Sequence, residues 1–442
     1  MQSINRLTIP LLMALLLFFV AVPSGAQVAV QCPGDVNGDA QWTTFGQCRG
    51  DNSISCTTNN DCNPAGPANF GPCDITTEVQ PPNTECMSLT GGDGFATMAD
   101  DDGRVLYTFG FSDVTGVPAA DVMSAGILAA AWPAPLIAVD EGDDFYLTLT
   151  NVGMLMRPDL FDPHTVHFHG FPNAASVFDG LPESAIAINM GASLTYYYHL
   201  VEPGTFMYHC HVEATEHMQM GMLGNLYVRP AQNKTGYGGN PATVSRLGGN
   251  VASAVEGYVY NDGDGTTAYN VEYALQLGGF DHQFHEDHVN VQPLPFAQMR
   301  DTYAMINGRG YPDTTNPGPL AAPPETGRPE SSQPESSLIE ATPGQKILLR
   351  LSNLNVTSIN TLISPSIPMK VVGIDSRELR DGATKLHYTT NSVTMGGGQA
   401  ADVILDTTGI ATGTYYLYAA NLYLLSNYQE DFGGMMTEIH IN

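Results

Sequence analysis

The chain has 442 residues, of which 16 are basic and 45 acidic, and its formal net charge is −29. A surface this acidic excludes nucleic acid and anionic membranes as natural partners and favours cations or a basic redox partner. A solvated acidic surface without a partner explains the charge equally well. The length predicts two domains with an appendage. The 46 Gly, the 30 Pro and the low share of charged residues are typical of an all-β protein.

Residues 1–26 have the pattern of a cleaved signal peptide. Arg6 precedes an apolar run over residues 11–22, and small residues at 24–26 follow it. The run is too short to span a membrane comfortably, and no second candidate span appears later in the sequence. We therefore expect a secreted or periplasmic protein with no membrane partner, the alternative being an uncleaved anchor.

Residues 27–88 form a small segment that is rich in Cys, Gly, Asn and Pro. Residues 35–39, Asp-Val-Asn-Gly-Asp, resemble the start of a calcium loop, but Ala40 replaces the turn Gly and Gly46 replaces the bidentate Glu, so we predict no calcium site. In an exported protein, clustered Cys predict disulfides, here up to three with a connectivity that the sequence leaves open. The six Cys of this segment are Cys32, Cys48, Cys56, Cys62, Cys73 and Cys86.

Residues 89–230 and 251–442 predict two β-domains, joined by a linker at 231–250. In both domains short β-rich runs are separated by Gly, Pro and Asp turn signals, as in a Greek-key sandwich or barrel. The clearest strand-like runs are residues 105–109, 145–150, 194–198, 205–208 and 224–228 in the first domain, and 346–351, 369–373 and 413–418 in the second.

Two short segments of the first domain carry most of the candidate metal ligands. Because side chains alternate between the faces of a strand, the second and third His of the first segment share one face and its first His points to the other. The two His of the second segment likewise share a face, and the Cys between them points away. If the segments are neighbouring strands, four imidazoles meet on one face and a thiolate meets an imidazole on the other. The segments are His164-Thr-Val-His167-Phe-His169 and His209-Cys210-His211, the second followed by His217 and Met222.

These donor types indicate copper. A thiolate, two imidazoles and a thioether suit a blue-copper electron-transfer site, and a group of imidazoles suits one or more further copper ions. Cys210 is the only Cys outside the N-terminal segment, and metal ligation explains why it would stay a thiol. A buried, inert Cys is the alternative. The pattern thus predicts two metal sites that are joined through the peptide bond between a Cys and a neighbouring His.

Several motifs resemble the multicopper oxidases, which are built from cupredoxin domains. The resemblance covers roughly residues 100–442 and points to two-domain members related to small laccases and copper nitrite reductases. It implies two cupredoxin-like Greek-key domains after the Cys-rich segment, the second without blue copper. The motifs are PHTVHFHG and GTFMYHCHVEATEHMQMGMLG in the first domain, and INGRGYPDT, LLRLSNL and DFGGMMTEI in the second.

The resemblance also implies the role of each ligand, with copper as the cofactor. His164, Cys210, His217 and Met222 would bind the blue copper, His167 the type 2 copper, and His169, His209 and His211 the coupled type 3 pair. One spacing departs from the family, because six residues separate the Cys from the next ligand His, where laccase-like members have four and nitrite reductases eight. Met218 and Met220 are alternative axial ligands that would otherwise serve in packing.

A larger departure is an absence of imidazoles. In the family a complete trinuclear cluster needs eight, and the first domain offers four. The second domain has no His-x-His pair. Its residues 281–288 place three His at intervals of three, a pattern that favours a solvated polar loop over the alternative, a divalent-metal site on a helical turn. The five His of the second domain are His282, His285, His288, His387 and His440.

Asp179 is a candidate proton relay to reduced oxygen if it lies near the face with four His. The alternative is an ordinary residue of an Asp-Gly turn.

The sequence as a whole predicts an exported copper-dependent oxidoreductase. Blue copper would accept electrons from a small reducing substrate or a redox protein and pass them through Cys210 to a His-bound centre that reduces oxygen. Another subunit or a partner would supply the missing ligands, and the resemblance implies a trimer if the protein is a homo-oligomer. One alternative is a nitrite reductase-like enzyme, against which the lack of a His near residues 360–364 and the presence of His167 at the catalytic Asp position speak. The other is a non-catalytic cupredoxin that carries electrons or binds copper.

Overall fold

A computed structural model describes residues 32–48, 51–56, 73–235 and 257–442. The predicted signal peptide and most of the predicted linker lie outside these ranges. Within them, no helix combines the length and the apolar character that crossing a membrane requires.

The N-terminal segment folds as a small antiparallel sheet held by disulfides. Cys32 is bonded to Cys86 and Cys56 to Cys73, and Cys48 is also disulfide-bonded, which confirms that the clustered Cys form disulfides. The bond to Cys86 attaches this segment to the first strand of the next domain. The sheet has the order β2-β1-β3, with β1 at Thr44–Cys48, β2 at Asp51–Ser55 and β3 at Cys73–Thr77.

The first domain consists of two four-stranded sheets around one apolar core. Along Asp144–Gly153, buried and partly exposed side chains alternate at first, as expected for a strand with one face on the core. The sheets have the orders β5-β4-β7-β9 and β6-β11-β10-β8. The strands are β4 (Thr84–Thr97), β5 (Val105–Asp113), β6 (Ala134–Asp140), β7 (Asp144–Gly153), β8 (His167–His169), β9 (Ser193–His199), β10 (Gly204–His209) and β11 (Leu223–Arg229).

Short helices lie between the strands of this domain or follow the last one. They are α1 (Val122–Gly126), α2 (Ala214–Met220) and α3 (Gln232–Thr235), together with a 3₁₀ turn at Ser176–Phe178.

The second domain is also a pair of packed sheets, with the orders β15-β14-β17-β25-β19-β20 and β16-β27-β26-β18-β24, and β23 pairs with β19. Each strand-like run named above lies within a strand, whereas only His167–His169 of the first His segment does. The longer elements are β14 (Val271–Phe280), α4 (His282–Val289), β15 (Tyr303–Ile306), β17 (Lys346–Asn353), β18 (Asn360–Ile363), β19 (Met369–Ile374), β24 (Ser392–Met395), β25 (Gln399–Asp406), β26 (Gly413–Ala419) and β27 (Met436–Ile441).

The remaining elements of the second domain are short. They are β12 (Gly257–Tyr258), β13 (Ala268–Tyr269), β16 (Ile339–Ala341), β20 (Arg377–Glu378), β21 (Arg380–Asp381), β22 (Thr384–Lys385), β23 (Tyr388–Thr390) and the 3₁₀ turns Phe296–Gln298, Asp313–Thr315, Pro324–Thr326 and Leu422–Leu424.

A buried ion cluster joins the two domains. Glu272 of β14 lies 2.8 Å from the guanidinium of Arg229 on β11 and 3.0 Å from that of Arg350 on β17. Burial alone would raise the pKa of Glu272, but the two Arg outweigh it and lower the pKa to about 2. The carboxylate is therefore charged at neutral pH, and its pairing with an Arg from each domain fixes how the domains dock.

Candidate metal centres

The two His segments lie side by side in one sheet, as the alternation argument required. Strand β8 pairs antiparallel with β10, and His167 lies directly opposite His209. Cys210 follows immediately after β10, while His164 precedes β8 and forms an isolated bridge with Ile188. This pairing places the donors in two separate groups.

The first group, called here the thiolate site, consists of His164, Cys210, His217 and Met222. Nδ1 of His217 lies 3.2 Å from the sulfur of Cys210, and Nδ1 of His164 lies 3.9 Å from it. Backbone hydrogen bonds hold the thioether residue nearby, because Met222 N donates to His217 O at 2.8 Å and Cys210 N donates to Met222 O at 3.1 Å. All four residues have no exposed surface.

The thiolate site fits copper. Burial would raise the pKa of the Cys210 thiol, but His217 and His164 lower it well below its ordinary value, so the thiolate is favoured. Burial lowers the pKa of His217, but the Cys210 thiolate and Asp162 raise it to about 10. Without metal, a proton on this imidazole balances the buried thiolate, and a bound cation can take the place of that proton.

A glycine that the sequence did not single out makes room for the thiolate site. A Cβ on Gly91 of β4 would lie 3.0 Å from Cδ2 of His164 and 3.4 Å from Cε of Met222. The absence of a side chain there lets β4 pass close to two of the ligands. A lone Gly in a strand can mark such a close approach, but it does not identify the partner.

The second group, called here the four-His site, consists of His167, His169, His209 and His211. The ring centroid of His167 lies 5.1 Å from that of His211 and 5.2 Å from that of His209, and His169 lies 5.7 Å from His209. Ligand atoms of His167, His169 and His209 all lie within 4.8 Å of one another. The structure thus brings the four imidazoles together on one side of the β8–β10 pair.

Burial favours the neutral form of three of these imidazoles, and hydrogen bonds orient two of them. Burial lowers the pKa of His167 and His169, and it lowers that of His209 to about 3. Nδ1 of His209 donates to the carbonyl of Cys210 at 2.8 Å, and Nδ1 of His167 donates to the carbonyl of Asp179, whose carboxylate is 3.6 Å away. Neutral rings held through Nδ1 leave Nε2 for a metal, an arrangement common among metal-binding His. Asp179 thus lies beside the four-His site.

The second domain forms the opposite wall of the four-His site without adding an imidazole. A cavity of about 550 Å³ is lined by the four His and, from the second domain, by residues 354–359, Gly397 and Gly398. Gly398 has φ +88°, and a Cβ there would lie 2.8 Å from Nε2 of His169. All twelve His of the chain fall within the described ranges, and none from the second domain lines this cavity. The residues present fit a copper centre on four imidazoles, and they do not fit an eight-imidazole cluster within one chain.

The favoured prediction of a solvated loop at residues 281–288 was wrong. These residues form helix α4, because the carboxylate of Asp281 caps it by accepting from Gln283 N. His285 and His288 are buried against the first domain: His285 faces the carbonyls of Tyr107 and Gln219, and His288 Nε2 donates to Glu216 at 2.7 Å. The imidazoles are thus occupied separately and do not converge on a common metal.

Helix α4 also covers the thiolate site. The ring of Phe109 packs between His217 and His288, with centroid distances of 5.7 Å and 4.7 Å. His217 therefore has no exposed surface.

Two carboxylates beside His217 were missed by the sequence reasoning. Oxygens of Asp162 and Glu213 lie within 4.8 Å of a ring nitrogen of His217, and Asp162 Oδ2 is 3.8 Å from Nε2. The sequence contained a signal for each of them. Asp162 precedes His164 by two residues, a spacing that places both side chains on one face of a strand, and Glu213 precedes His217 by one helical turn.

Comparisons with known proteins agree with this geometry. Two family models, both described as multicopper oxidase, match residues 117–233 and 279–439, together more than half of the chain. Laccase 1 of Metarhizium acridum is 33% identical over 107 residues, which are 24% of this chain and 16% of that protein. Multicopper oxidase MCE of Talaromyces pinophilus is 33% identical over 104 residues, 23% of this chain and 16% of that protein. The chain thus matches less than a fifth of the length of these curated relatives.

Solved structures share the fold over most of the chain. The blue copper oxidase from Nitrosomonas europaea superposes with a TM-score of 0.56 at 23% identity, covering 81% of this chain and 86% of that one. The copper nitrite reductase from the same organism gives 0.52 at 16% identity, covering 81% and 94%. These likenesses confirm the predicted fold of two cupredoxin-like β-domains.

Proposed function

Because the chain belongs to the multicopper oxidase family of copper-dependent oxidoreductases, we propose that it is an exported oxidase. It takes electrons from a small reducing substrate or a redox protein at the thiolate site and uses them to reduce oxygen at the four-His site. The observation that carries this proposal is the placement of both donor groups on one His-Cys-His segment, on opposite faces of the β8–β10 pair.

Each donor group has a proposed role. His164, Cys210, His217 and Met222 hold the blue copper, and His167, His169, His209 and His211 hold type 2 and type 3 copper. Copper in these positions would supply one-electron chemistry between the reductant and oxygen. Since His209 and His211 are the chain neighbours of Cys210, a short covalent path links the two sites. Asp179, hydrogen-bonded to His167 through its carbonyl, is the proposed proton relay.

The contrast in solvent access supports an oxidase over an electron carrier. The four His border a cavity that admits small molecules, whereas the thiolate site is sealed. A carrier has no use for a second, open group of imidazoles, while a centre that reduces oxygen needs both access and a supply of protons.

The assembly and location remain part of the proposal. The shortage of imidazoles at the four-His site is consistent with a homo-oligomer in which another subunit contributes to the cavity wall. The proposed chain has five parts, namely a signal peptide (1–26), a Cys-rich segment (27–88), a copper domain (89–230), a linker (231–250) and a second domain (251–442). This division fits a protein that is secreted or periplasmic.

Oxygen uptake by the copper-loaded protein tests the proposed function. With an inorganic or phenolic reductant, His167→Ala should keep the intense visible colour of the thiolate site and lose oxygen uptake by at least about 100-fold, since it removes a ligand. His199→Ala is the matched control, because this exposed side chain of the same domain bonds the carboxylate of Asp144 and does not line the four-His cavity. Uptake that survives His167→Ala would contradict the proposal.

A further inference from the structure

A buried carboxylate of the second domain lies one hydrogen bond away from the wall of the four-His cavity. Asp301 is 6% exposed, and its Oδ2 accepts hydrogen bonds of 2.7 Å from Oγ1 of Thr357 and from Nδ2 of Asn355. Thr357 and Asn355 both line the four-His cavity. The other carboxylate oxygen, Oδ1, is buried and has no hydrogen-bond partner within the described ranges.

The same carboxylate borders a second cavity, called here the outer cavity. Asp301 lines this space of about 390 Å³ together with Gln283, Gln298 and Arg300, which are exposed, so water enters it from the surface. From this placement we propose that Asp301 passes protons from the outer cavity, through the hydroxyl of Thr357, to the four-His cavity. The role rests on the proposed function, because reduction of oxygen at the four-His site would consume these protons.

Each transfer moves one proton and leaves the residues as they were. A protonated Asp301 gives its proton to Oγ1 of Thr357, while the Thr357 hydroxyl releases its own proton to water in the four-His cavity. The O–H bond lost at the carboxyl is thus replaced by one on that water, and water of the outer cavity returns a proton to Asp301. Because neutral water holds few hydronium ions, a fixed acid beside the cavity supplies protons faster than solvent alone. Asp179 belongs to the first domain, so the two proton paths reach the site from different domains.

The packing around Asp301 holds the carboxylate in this place. A Cβ on Gly279 of β14 would lie 2.6 Å from Cγ of Asp301, so the lack of a side chain lets the carboxylate lie against the strand. Oδ1 of Asn355 accepts from the backbone N of Thr357 at 2.8 Å and of Ser358 at 2.9 Å. These bonds fix the loop that presents the Thr357 hydroxyl to Asp301.

The surroundings also help Asp301 to hold a proton. Burial raises the pKa of Asp301, and the carboxylate of Asp281 raises it further, although the hydrogen bonds that Asp301 accepts lower it in part. Asp281 is the charged side chain that faces it. Helix α2 contributes the neutral amide of Gln219, residues 355–357 and the adjoining part of β14 carry no charge, and Arg300 is exposed. The carboxyl therefore keeps its proton to a higher pH than an ordinary Asp.

Two variants of Thr357 test the path at its middle. Thr357→Val replaces the hydroxyl with a methyl group and should slow oxygen uptake by the copper-loaded protein about tenfold or more. Thr357→Ser is the matched control, because it keeps a hydroxyl and should retain most of the uptake. Copper content and blue colour should be the same in both, since neither change removes a ligand. Equal uptake by the two variants would overturn the path.

The solvent isotope effect and the pH profile separate a proton path from a structural role. Because proton supply limits the rate in Thr357→Val, its uptake should slow more in D₂O than that of the wild type. Asp301→Asn still accepts hydrogen bonds but carries no proton, so it should slow uptake and flatten the decline of uptake with rising pH. Asp381→Asn, at an exposed position of the second domain, should leave the rate and the profile unchanged. Identical isotope effects and profiles in wild type, Thr357→Val and Asp301→Asn would contradict the relay.

Infrared titration of the metal-free protein gives a measurement without turnover. The difference between wild type and Asp301→Asn should contain a carboxylic acid carbonyl band that disappears with a midpoint above 3.8, the ordinary value for the pKa of Asp. A midpoint at or below 3.8 would overturn the relay. A wild-type protein that takes up no oxygen would instead refute the proposed function, and the infrared titration would still decide whether Asp301 holds the proton.

Discussion

The thiolate site and the four-His site lie on opposite faces of the same pair of strands, yet their surroundings differ. Around the thiolate site the chain brings His164, Cys210 and His217 together, and Phe109 and α4 bury them. Around the four-His site the second domain offers a glycine-lined wall and an open cavity instead of imidazoles. A self-contained, sealed site suits electron transfer, and an open, under-liganded site suits exchange with small molecules or another subunit.

The largest expected effect comes from a substitution in the His-Cys-His segment that removes a ligand of the thiolate site and none of the four-His site. Cys210→Ser removes the thiolate, and we expect complete loss of the intense visible absorption of blue copper, because that band needs a copper–thiolate bond. Copper at the four-His site should remain, since its four imidazoles are untouched. Absorption spectra and metal analysis of the two proteins check this. A variant that keeps the blue colour would show that the thiolate site is wrongly assigned.

The next effect concerns the docking of the domains, on which both sites depend. Glu272→Gln leaves Arg229 without its carboxylate partner in the buried cluster, and we expect a loss of about 3–5 kcal/mol in the free energy of unfolding. Chemical denaturation measures this loss, with Glu340→Gln, an exposed residue of the second domain, as the matched control. Equal stability of the two variants would mean that the ion cluster does not hold the domains together.

The same cluster predicts an acid limit. Because the folded pKa of Glu272, about 2, lies below its ordinary value of 4.5, its contribution to stability is fully present above about pH 4.5. That contribution is lost as the pH falls from 4.5 towards 2. Glu272→Gln should therefore remove part of the pH dependence of unfolding in this window, and an unchanged profile would argue against the assignment.

A smaller and more local change acts on the four-His site alone. Gly398→Ala would place a Cβ 2.8 Å from Nε2 of His169 at a backbone φ of +88°, so the imidazole must move away from its metal-binding position. We expect about 10–100-fold weaker copper binding at the four-His site with the blue colour intact. Gly382→Ala also has positive φ, but a Cβ there would meet open space, so it controls for backbone strain. Equal copper affinity of both variants would place the metal elsewhere.

Local pattern predicted much of this molecule. Because side chains alternate between the faces of a strand, the sequence alone assigned Cys210 to one donor group and His209 and His211 to the other. This assignment needed no information about residues far apart in the chain. The approach of Gly398 to His169 and the cover that α4 places over His217 depend on the docking of residues far apart in the chain, which periodicity does not reveal. Helix α4 was misjudged because the partners that bury His285 and His288 come from the other domain.

The copper content of the metal-loaded protein tests the central claim most directly. After removal of loosely bound metal, elemental analysis should give about two copper ions per chain or more. One of them should be the blue copper that Cys210→Ser removes, and the remainder should be lost in His167→Ala. A content near one ion per chain that His167→Ala leaves unchanged would contradict a second copper centre and reduce the protein to an electron carrier.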